Sequence, residues 1–229
     1  MSPTRPTLRA AAPGACLCAL ALLACGDNGP MQPDANLTGP CPTGEVFYTG
    51  ELVDWVSTPA TFRGVFDASF TVDGDAARTD QTSPNGRFEL CLANAASTRV
   101  LIDATADSTY QDGVAVVDLD VLKAGVTMSL RSFTTMQEAG FTPRLAPGKA
   151  HVFIDVAGAA RAITLSAAYE AAFAFDGTQW VAGTSGRAVF FANVEPGAAA
   201  KATMSGRFVG GASVPREADR LSFVTVVGQ

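Results

Sequence analysis

The sequence is poor in the side chains that most enzymes use for chemistry. It has one histidine, His151, and after residue 25 it has neither a His-x-x-x-His nor a Cys-x-x-Cys pattern that would indicate a zinc site. A Ser-His-Asp triad would have to use this single histidine, and the sequence has no Gly-x-Ser-x-Gly turn and no glycine-rich phosphate loop. We therefore interpret His151 as a surface or structural residue, and the sequence predicts no enzymatic activity, no cofactor and no metal.

Basic residues are also scarce. The chain has 16 lysines and arginines against 22 aspartates and glutamates, a formal net charge of −6. No basic stripe is present, so nucleic-acid binding is rejected as a function class. The acidity also argues against electrostatic docking to anionic lipid and is typical of a soluble exported body.

Long apolar runs are missing. The longest, Ala10 to Leu23, has about 14 residues, short of the roughly 20 that a membrane-spanning helix needs. Two arginines, Arg5 and Arg9, precede it, and a basic segment before a short apolar segment is typical of a secretory signal peptide. Export would remove both arginines and leave a net charge of about −8.

The end of this run, Leu22-Leu23-Ala24-Cys25, resembles the lipobox of bacterial lipoproteins. The resemblance implies that residues 1–24 are a signal peptide, that Cys25 is acylated, and that the mature chain is anchored to a membrane by its lipids. Gly26 follows the cysteine instead of aspartate, which favours the outer membrane. The alternatives are an uncleaved anchor helix or a signal that is cleaved without lipidation.

Two further cysteines, Cys41 and Cys91, remain in the mature chain. In the oxidising compartment that export implies, we expect them to form a disulfide; the alternative is two separate buried thiols. Residues 25–44, which are rich in Gly, Pro, Asn and Asp after Cys25, are predicted to be a flexible tether.

The rest of the chain has the period-two alternation of β-strands. The apolar residues Phe66, Ala68, Phe70 and Val72 alternate with more polar ones, segments 88–92, 126–130 and 152–156 behave similarly, and segment 189–194 precedes a turn at residues 195–197. The alternation stops over residues 133–148, where Thr135 to Glu138 has capping-box spacing and predicts a short helix. We therefore predict an all-β fold with two β-sandwich domains, 45–132 and 149–229, joined by a linker over 133–148.

A weak internal repeat supports two units. Residues 85–90 (NGRFEL) are similar to residues 185–190 (SGRAVF), one hundred residues later. The stretches 82–90 and 186–197 also resemble the hairpins of the carboxypeptidase regulatory-like, or prealbumin-like, β-sandwich. This resemblance implies tandem immunoglobulin-like folds and a general accessory or adhesion-like role. The family has no shared active site, so no functional residue follows from it.

Several residues are candidates for binding. Trp55 and Trp180 are candidate sugar-stacking residues, with core packing as the alternative. Asp118 and Asp120 are predicted on one face of a strand, where a carboxylate pair could bind a cation or serve a hydrolase. A further group, Asp73, Asp75 and Asp80, is interpreted as turn residues, with calcium binding as the alternative.

The sequence thus predicts a lipid-anchored envelope protein without catalysis that presents β-sandwich modules to an envelope protein or a glycan. One alternative is a small hydrolase with an acidic site at Asp118 and Asp120. Another is an architectural subunit of an envelope assembly, which would show a contiguous exposed apolar patch.

Overall fold

The computed structural model describes residues 41–58, 60–104, 110–123, 128–204 and 207–227. The predicted signal peptide, the predicted lipidation site Cys25 and most of the predicted tether lie outside the described residues. Within the described ranges, no helix is long and apolar enough to cross a bilayer.

The fold is nearly all β, as predicted. The strands of the first half are β1 (Glu45–Asp54), β2 (Ser69–Val72), β3 (Asp75–Gln81), β4 (Arg87–Ala93), β5 (Ser97–Asp103), β6 (Gly113–Asp118) and β7 (Met128–Ser132). Two short helices, α1 (Leu119–Lys123) and α2 (Thr135–Glu138), precede and follow β7. The strands of the second half are β8 (Ala150–Ala157), β9 (Arg161–Leu165), β10 (Ala171–Phe175), β11 (Trp180–Ala182), β12 (Ser185–Gly186), β13 (Ala188–Val194), β14 (Gly197–Met204), β15 (Arg207–Arg216) and β16 (Leu221–Val227).

The two halves build the same pair of sheets. In the first half, β1 lies between antiparallel β4 and parallel β7; in the second half, β8 lies between antiparallel β13 and parallel β16. The opposing sheets have the orders β3-β2-β5-β6 and β12-β9-β14-β15. Seven strands therefore correspond one to one, and the second half adds the hairpin β10–β11 at the edge of β13.

A parallel strand pair joins the halves. Strand β16 pairs with β6 from Leu221 opposite Gly113 to Val224 opposite Val116, which makes one nine-stranded sheet that crosses both halves. The described residues all belong to one compact unit. The strands of each half fall within the predicted boundaries, but the independence of two domains stays a prediction.

Each half has its own core between its two sheets because alternate residues of each strand face inward. The first core contains the fully buried rings of Tyr48, Phe70 and Phe88. The second is built from smaller side chains, among them Val152, Val189 and Ala202. Phe66, predicted in phase with the inward residues, precedes β2 and is 58% exposed, so that prediction is wrong at its first position.

The internal repeat lies on corresponding strands, with one difference. Residue Phe88 on β4 faces the core opposite Gly50 of β1, and Val189 on β13 faces the core opposite Ile154 of β8. The structural equivalent of Phe88 is therefore Val189, one residue beyond the Ala188 that the sequence repeat aligns with it.

The linker is held firmly onto the second half. Its helix α2 has the predicted capping box, but one residue earlier, between Thr134 and Gln137. Asn193, on β13, accepts a hydrogen bond from the Ala146 amide at 2.8 Å and donates to the Arg144 carbonyl at 3.0 Å. Because Asn193 is buried and makes these bonds from both ends of its amide, the segment after α2 has a fixed place.

Candidate binding site

The two tryptophans, far apart in sequence, lie together at the end of β1. The rings of Trp55 and Trp180 stack with centroids 4.0 Å apart and an interplanar angle of 10°. The Trp180 indole Nε1 donates to the Trp55 carbonyl at 3.2 Å. Trp55 is 7% exposed and contacts linker and β13 rings, with Phe141 at 4.9 Å and Phe190 at 5.0 Å. Trp55 is thus packed in the core, which was the alternative to sugar stacking. Trp180 is half-buried and lies at the edge of the same aromatic cluster.

A guanidinium lies against the same aromatic cluster. The Arg131 Cζ atom is 4.7 Å from the Phe175 ring centroid and 5.9 Å from that of Trp180. Its Nη1 donates to the Ser57 carbonyl at 2.7 Å and to the Trp55 carbonyl at 3.3 Å. Burial lowers the pKa of Arg131, and the carboxylates of Asp155 and Asp54 act in the opposite direction. Arg131 therefore joins the first half to the β10–β11 hairpin through its charge, while its hydrogen bonds hold it to the loop after β1.

A buried carboxylate fixes the loop that follows β1. Asp54, 4% exposed, accepts hydrogen bonds from the Tyr110 hydroxyl at 2.9 Å, from Gln137 Nε2 at 2.9 and 3.0 Å, and from the Val56 amide at 2.9 Å. Burial, followed by the hydrogen bond to Asp54, raises the pKa of Tyr110 to about 12. These donors satisfy both carboxylate oxygens. Asp54 therefore fixes the positions of α2 and of the loop after β1 relative to each other.

Exposed apolar side chains surround this network. Val56, Phe62, Met136 and Val181 are 45%, 47%, 82% and 40% exposed. Each of the four either forms a hydrogen bond to residues 54–57 or is next in sequence to a residue that does. The bonded groups are Val56 itself, the Arg63 amide on Ser57 Oγ, Gln137 on Asp54, and Trp180 on the Trp55 carbonyl. These four residues are called the distal apolar surface below, because they lie at the opposite end of β1 from Cys41.

The predicted disulfide is confirmed. Cys41 and Cys91 are bonded, with Cα atoms 5.5 Å apart. Cys91 lies on the outward phase of β4, between the inward Leu90 and Leu92, as expected. The bond therefore attaches the start of the described chain to the outer face of the first half. This attachment lies near the N-terminal end of β1.

The predicted acidic strand face at Asp118 and Asp120 is wrong. Strand β6 ends at Asp118, and Asp120 lies in the first turn of α1. The Asp118 carboxylate accepts from the Asp120 amide at 2.9 Å. An aspartate that bonds a backbone amide two residues on competes with the strand ladder, which is why the alternation gives way to a helix here.

The other acidic candidates go to separate partners. Asp73 pairs with Arg99 at 3.2 Å, Asp75 with Arg78 at 2.9 Å, and Asp80 accepts from the Glu89 amide at 2.6 Å. No cluster of three or more potential metal ligands exists among the described residues.

The single histidine is a structural residue. His151 is 3% exposed, and its Nδ1 accepts from the Asn193 amide at 3.3 Å. Burial lowers its pKa to about 4, so it is neutral at pH 7. This agrees with the structural interpretation of His151.

Sequence reasoning missed Arg131 and Asp54, which organise the site. Both occupy positions that the alternation predicts for ordinary strand residues, and nothing local distinguishes them from solvated ones. Their role depends on the β10–β11 hairpin and the linker, which pack against them from remote parts of the chain.

Comparisons with known proteins add little. No protein-family model and no curated protein matches the chain. Among solved structures, a mutant form of the shaft pilin SpaA from Lactobacillus rhamnosus GG is similar at 8% identity, with a TM-score of 0.31, over 80% of this chain and 98% of the pilin chain. A double mutant of the same pilin is similar at 7% identity, with a TM-score of 0.30, over 80% and 96%. Superpositions this loose carry no information on function.

Proposed function

We propose that this protein is a lipid-anchored component of the cell envelope that binds a protein partner through its distal apolar surface, without catalysis. The anchor is Cys25, and the membrane is the outer membrane. The partner is another envelope protein.

The observation that carries this proposal is that the disulfide and the distal apolar surface lie at opposite ends of β1. Strand β1 has ten residues, about 30 Å at roughly 3.3 Å per residue. The Cys41–Cys91 disulfide lies at its beginning, and Val56 and Phe62 follow its end. A tether that approaches the disulfide from a membrane would leave the distal apolar surface facing away from that membrane.

The nature of the exposed groups favours a protein over a glycan as the partner. Sugar-binding surfaces present aromatic faces, but the Trp55 face stacks on Trp180 inside the protein. The exposed side chains are valine, phenylalanine and methionine, which are typical of protein contacts, methionine because it adapts its shape. Their loops are held by partly buried hydrogen bonds, so binding would cost little loop ordering.

The experiment is a pull-down of the native lipoprotein after mild detergent extraction of the envelope. We expect one stoichiometric partner with the wild type, and loss of that partner when Phe62→Ser and Met136→Ser are combined. The matched control is Tyr169→Thr, an exposed aromatic residue that contacts Phe191 in the second core, away from Trp55. A partner that the double variant retains in full would rule out the distal apolar surface.

The anchor is tested separately. Cys25→Ala should move the protein from the membrane fraction to the soluble fraction of the envelope, with its melting temperature unchanged. If the variant stays in the membrane fraction, lipidation at Cys25 is wrong, whatever the pull-down shows.

A further inference from the structure

A partly open cavity with a mixed polar and apolar lining lies where the two halves meet, on the opposite side of the nine-stranded sheet from the first core. It has a volume of about 290 Å³ and is lined by Ser69, Thr71, Leu101, Ile102, Asp103, Asp112 and Arg220. The first six belong to the first half, on β2, on β5 and just before β6, and Arg220 comes from the turn before β16. The second half therefore contributes one wall of the cavity, and junctions of this kind are common ligand sites.

Two carboxylates lie at one end of a strand ladder in this cavity. The pairing of β5 with β6 ends with Ile102 opposite Gly113, and Asp103 and Asp112 are the next residues beyond that pair. Asp112 Oδ1 accepts from the Ala104 amide at 3.1 Å. Among the described residues, the Asp103 carboxylate has no hydrogen-bond or ion-pair partner. By this register the two aspartates are neighbours, and both are exposed, so water screens the repulsion between their carboxylates.

Arg220 supplies charge of the other sign, with weak bonds of its own. Its Nη1 is 3.5 Å from the Gly113 carbonyl, and its Nε is 3.7 Å from Glu217 Oε2. Both contacts are long for a guanidinium, whose charge-assisted bonds are ordinarily about 2.7–2.9 Å. Arg220 therefore retains hydrogen-bonding capacity for an anionic group in the cavity.

The cavity is partly open to solvent, so its volume sets the size of the part of a ligand that it can enclose. At roughly 30 Å³ per water molecule, the cavity corresponds to about ten non-hydrogen atoms. This is the size of a single amino acid and is below that of a disaccharide or a peptide.

We propose that this cavity binds a free α-amino acid as its zwitterion. The ammonium group is held by Asp103 and Asp112, the carboxylate by Arg220, and the Ser69 and Thr71 hydroxyls supply the remaining hydrogen bonds. A lining that carries both signs matches a ligand that carries both signs, and a ligand with only one would meet a like charge at the other end. The site is distinct from the distal apolar surface and does not depend on the function proposed above.

The test is calorimetric titration of the mature protein with a panel of the twenty standard amino acids, and with methylamine, acetate and glucose as probes of the separate groups. We expect at least one amino acid to bind at least tenfold more tightly than methylamine or acetate, and glucose not to bind. Asp103→Asn and Arg220→Gln should each weaken that binding by about tenfold or more, the effect of one charge-assisted bond.

Two controls keep the result interpretable. Asp120→Asn, an exposed aspartate on α1 outside the cavity, should bind like the wild type. Arg220→Lys keeps the charge and should retain more affinity than Arg220→Gln, with equal melting temperatures as evidence of folding. Failure of every amino acid to bind, equal binding of acetate or methylamine, or full binding by Asp103→Asn would each overturn the proposal.

Discussion

The two halves share one strand order but fill their cores in opposite ways. At the centre of the first core, Gly50 on β1 lies between Phe88 and Met128. At the corresponding place in the second core, Ile154 on β8 lies between Val189 and Val224. The first half combines one absent side chain with a ring, whereas the second uses three branched side chains of similar size. The same topology thus tolerates both solutions, but the first depends more on single residues.

The largest difference should appear on truncation of Phe88. Its ring stacks on Phe70 at 4.1 Å and meets the Tyr48 edge at 4.9 Å, so Phe88→Ala opens a cavity and should cost about 3–5 kcal/mol of unfolding free energy. The equivalent change, Val189→Ala, removes two carbons and should cost roughly half as much. Urea denaturation of both variants measures this. Equal losses of unfolding free energy would mean that the two cores depend equally on this one side chain.

Only the first half has a disulfide, which joins Cys41 to Cys91 on β4. Breaking it with Cys41→Ser and Cys91→Ser together should cost about 2–4 kcal/mol, since the bond closes a loop with a sequence separation of 50. Thermal melting with and without reductant measures the loss. The reduced wild type should have the same melting temperature as the double variant. If the double variant instead melts at the temperature of the oxidised wild type, the disulfide adds nothing to stability.

A smaller effect should follow from adding a single methyl group in the first core. A Cβ on Gly50 would lie 2.5 Å from the Met128 carbonyl oxygen and 2.8 Å from Phe88 Cζ. Because the first of these is backbone, Gly50→Ala should cost about 1–3 kcal/mol. Combining it with Phe88→Leu should give a loss smaller than the sum of the two, as expected for residues in contact. Strict additivity would show that the ring and the glycine do not share this space.

The sequence predicted the class of fold, the disulfide and the repeat because each rests on local chemistry. Alternation marked β2, β4 and β8, and two exported cysteines left one pairing. It did not predict the parallel contact of β6 with β16, since parallel pairing leaves no turn signal between the strands. It also placed the repeat one residue off, because glycine and arginine fix the alignment in sequence while burial fixes it in space.

The candidate site shows the same limit. The notable residues Trp55 and Trp180 could be singled out by composition, but their stacking on each other could not. It depends on the β10–β11 hairpin, which has no counterpart in the first half. The Asp118–Asp120 strand was mispredicted because a period-two pattern does not show where an aspartate ends a ladder to begin a helix.

The halves also differ in how they treat an acid on the outward face. Glu51 on β1 and Asp155 on β8 are equivalent, each following the central residue of its core. Glu51 pairs with Arg87 at 3.6 Å on an open face. Asp155 lies on a face that the linker and Trp55 cover, and burial raises its pKa to about 7, with Arg131 acting in the opposite direction.

This difference should appear as pH dependence. The folded pKa of Asp155, about 7, lies above its ordinary value of 3.8, so its contribution is complete below about pH 4 and is lost as the pH rises through 7. The neighbouring His151 has the opposite sign: its folded pKa, about 4, lies below 6.5, so its contribution is complete above about pH 6.5 and is lost as the pH falls through 4. Between these values the two slopes oppose each other in the wild type.

Removing one of the two should therefore reveal the other. In Asp155→Asn, the unfolding free energy should rise from about pH 4 to about pH 7 more steeply than in the wild type, because only the His151 slope remains. Urea denaturation at several pH values within this window measures it. Glu51→Gln, the matched change on the open face, should leave the shape of the wild-type profile unaltered. If Asp155→Asn and Glu51→Gln give parallel profiles, the cover over β8 does not desolvate Asp155, and the electrostatic contrast between the halves is wrong.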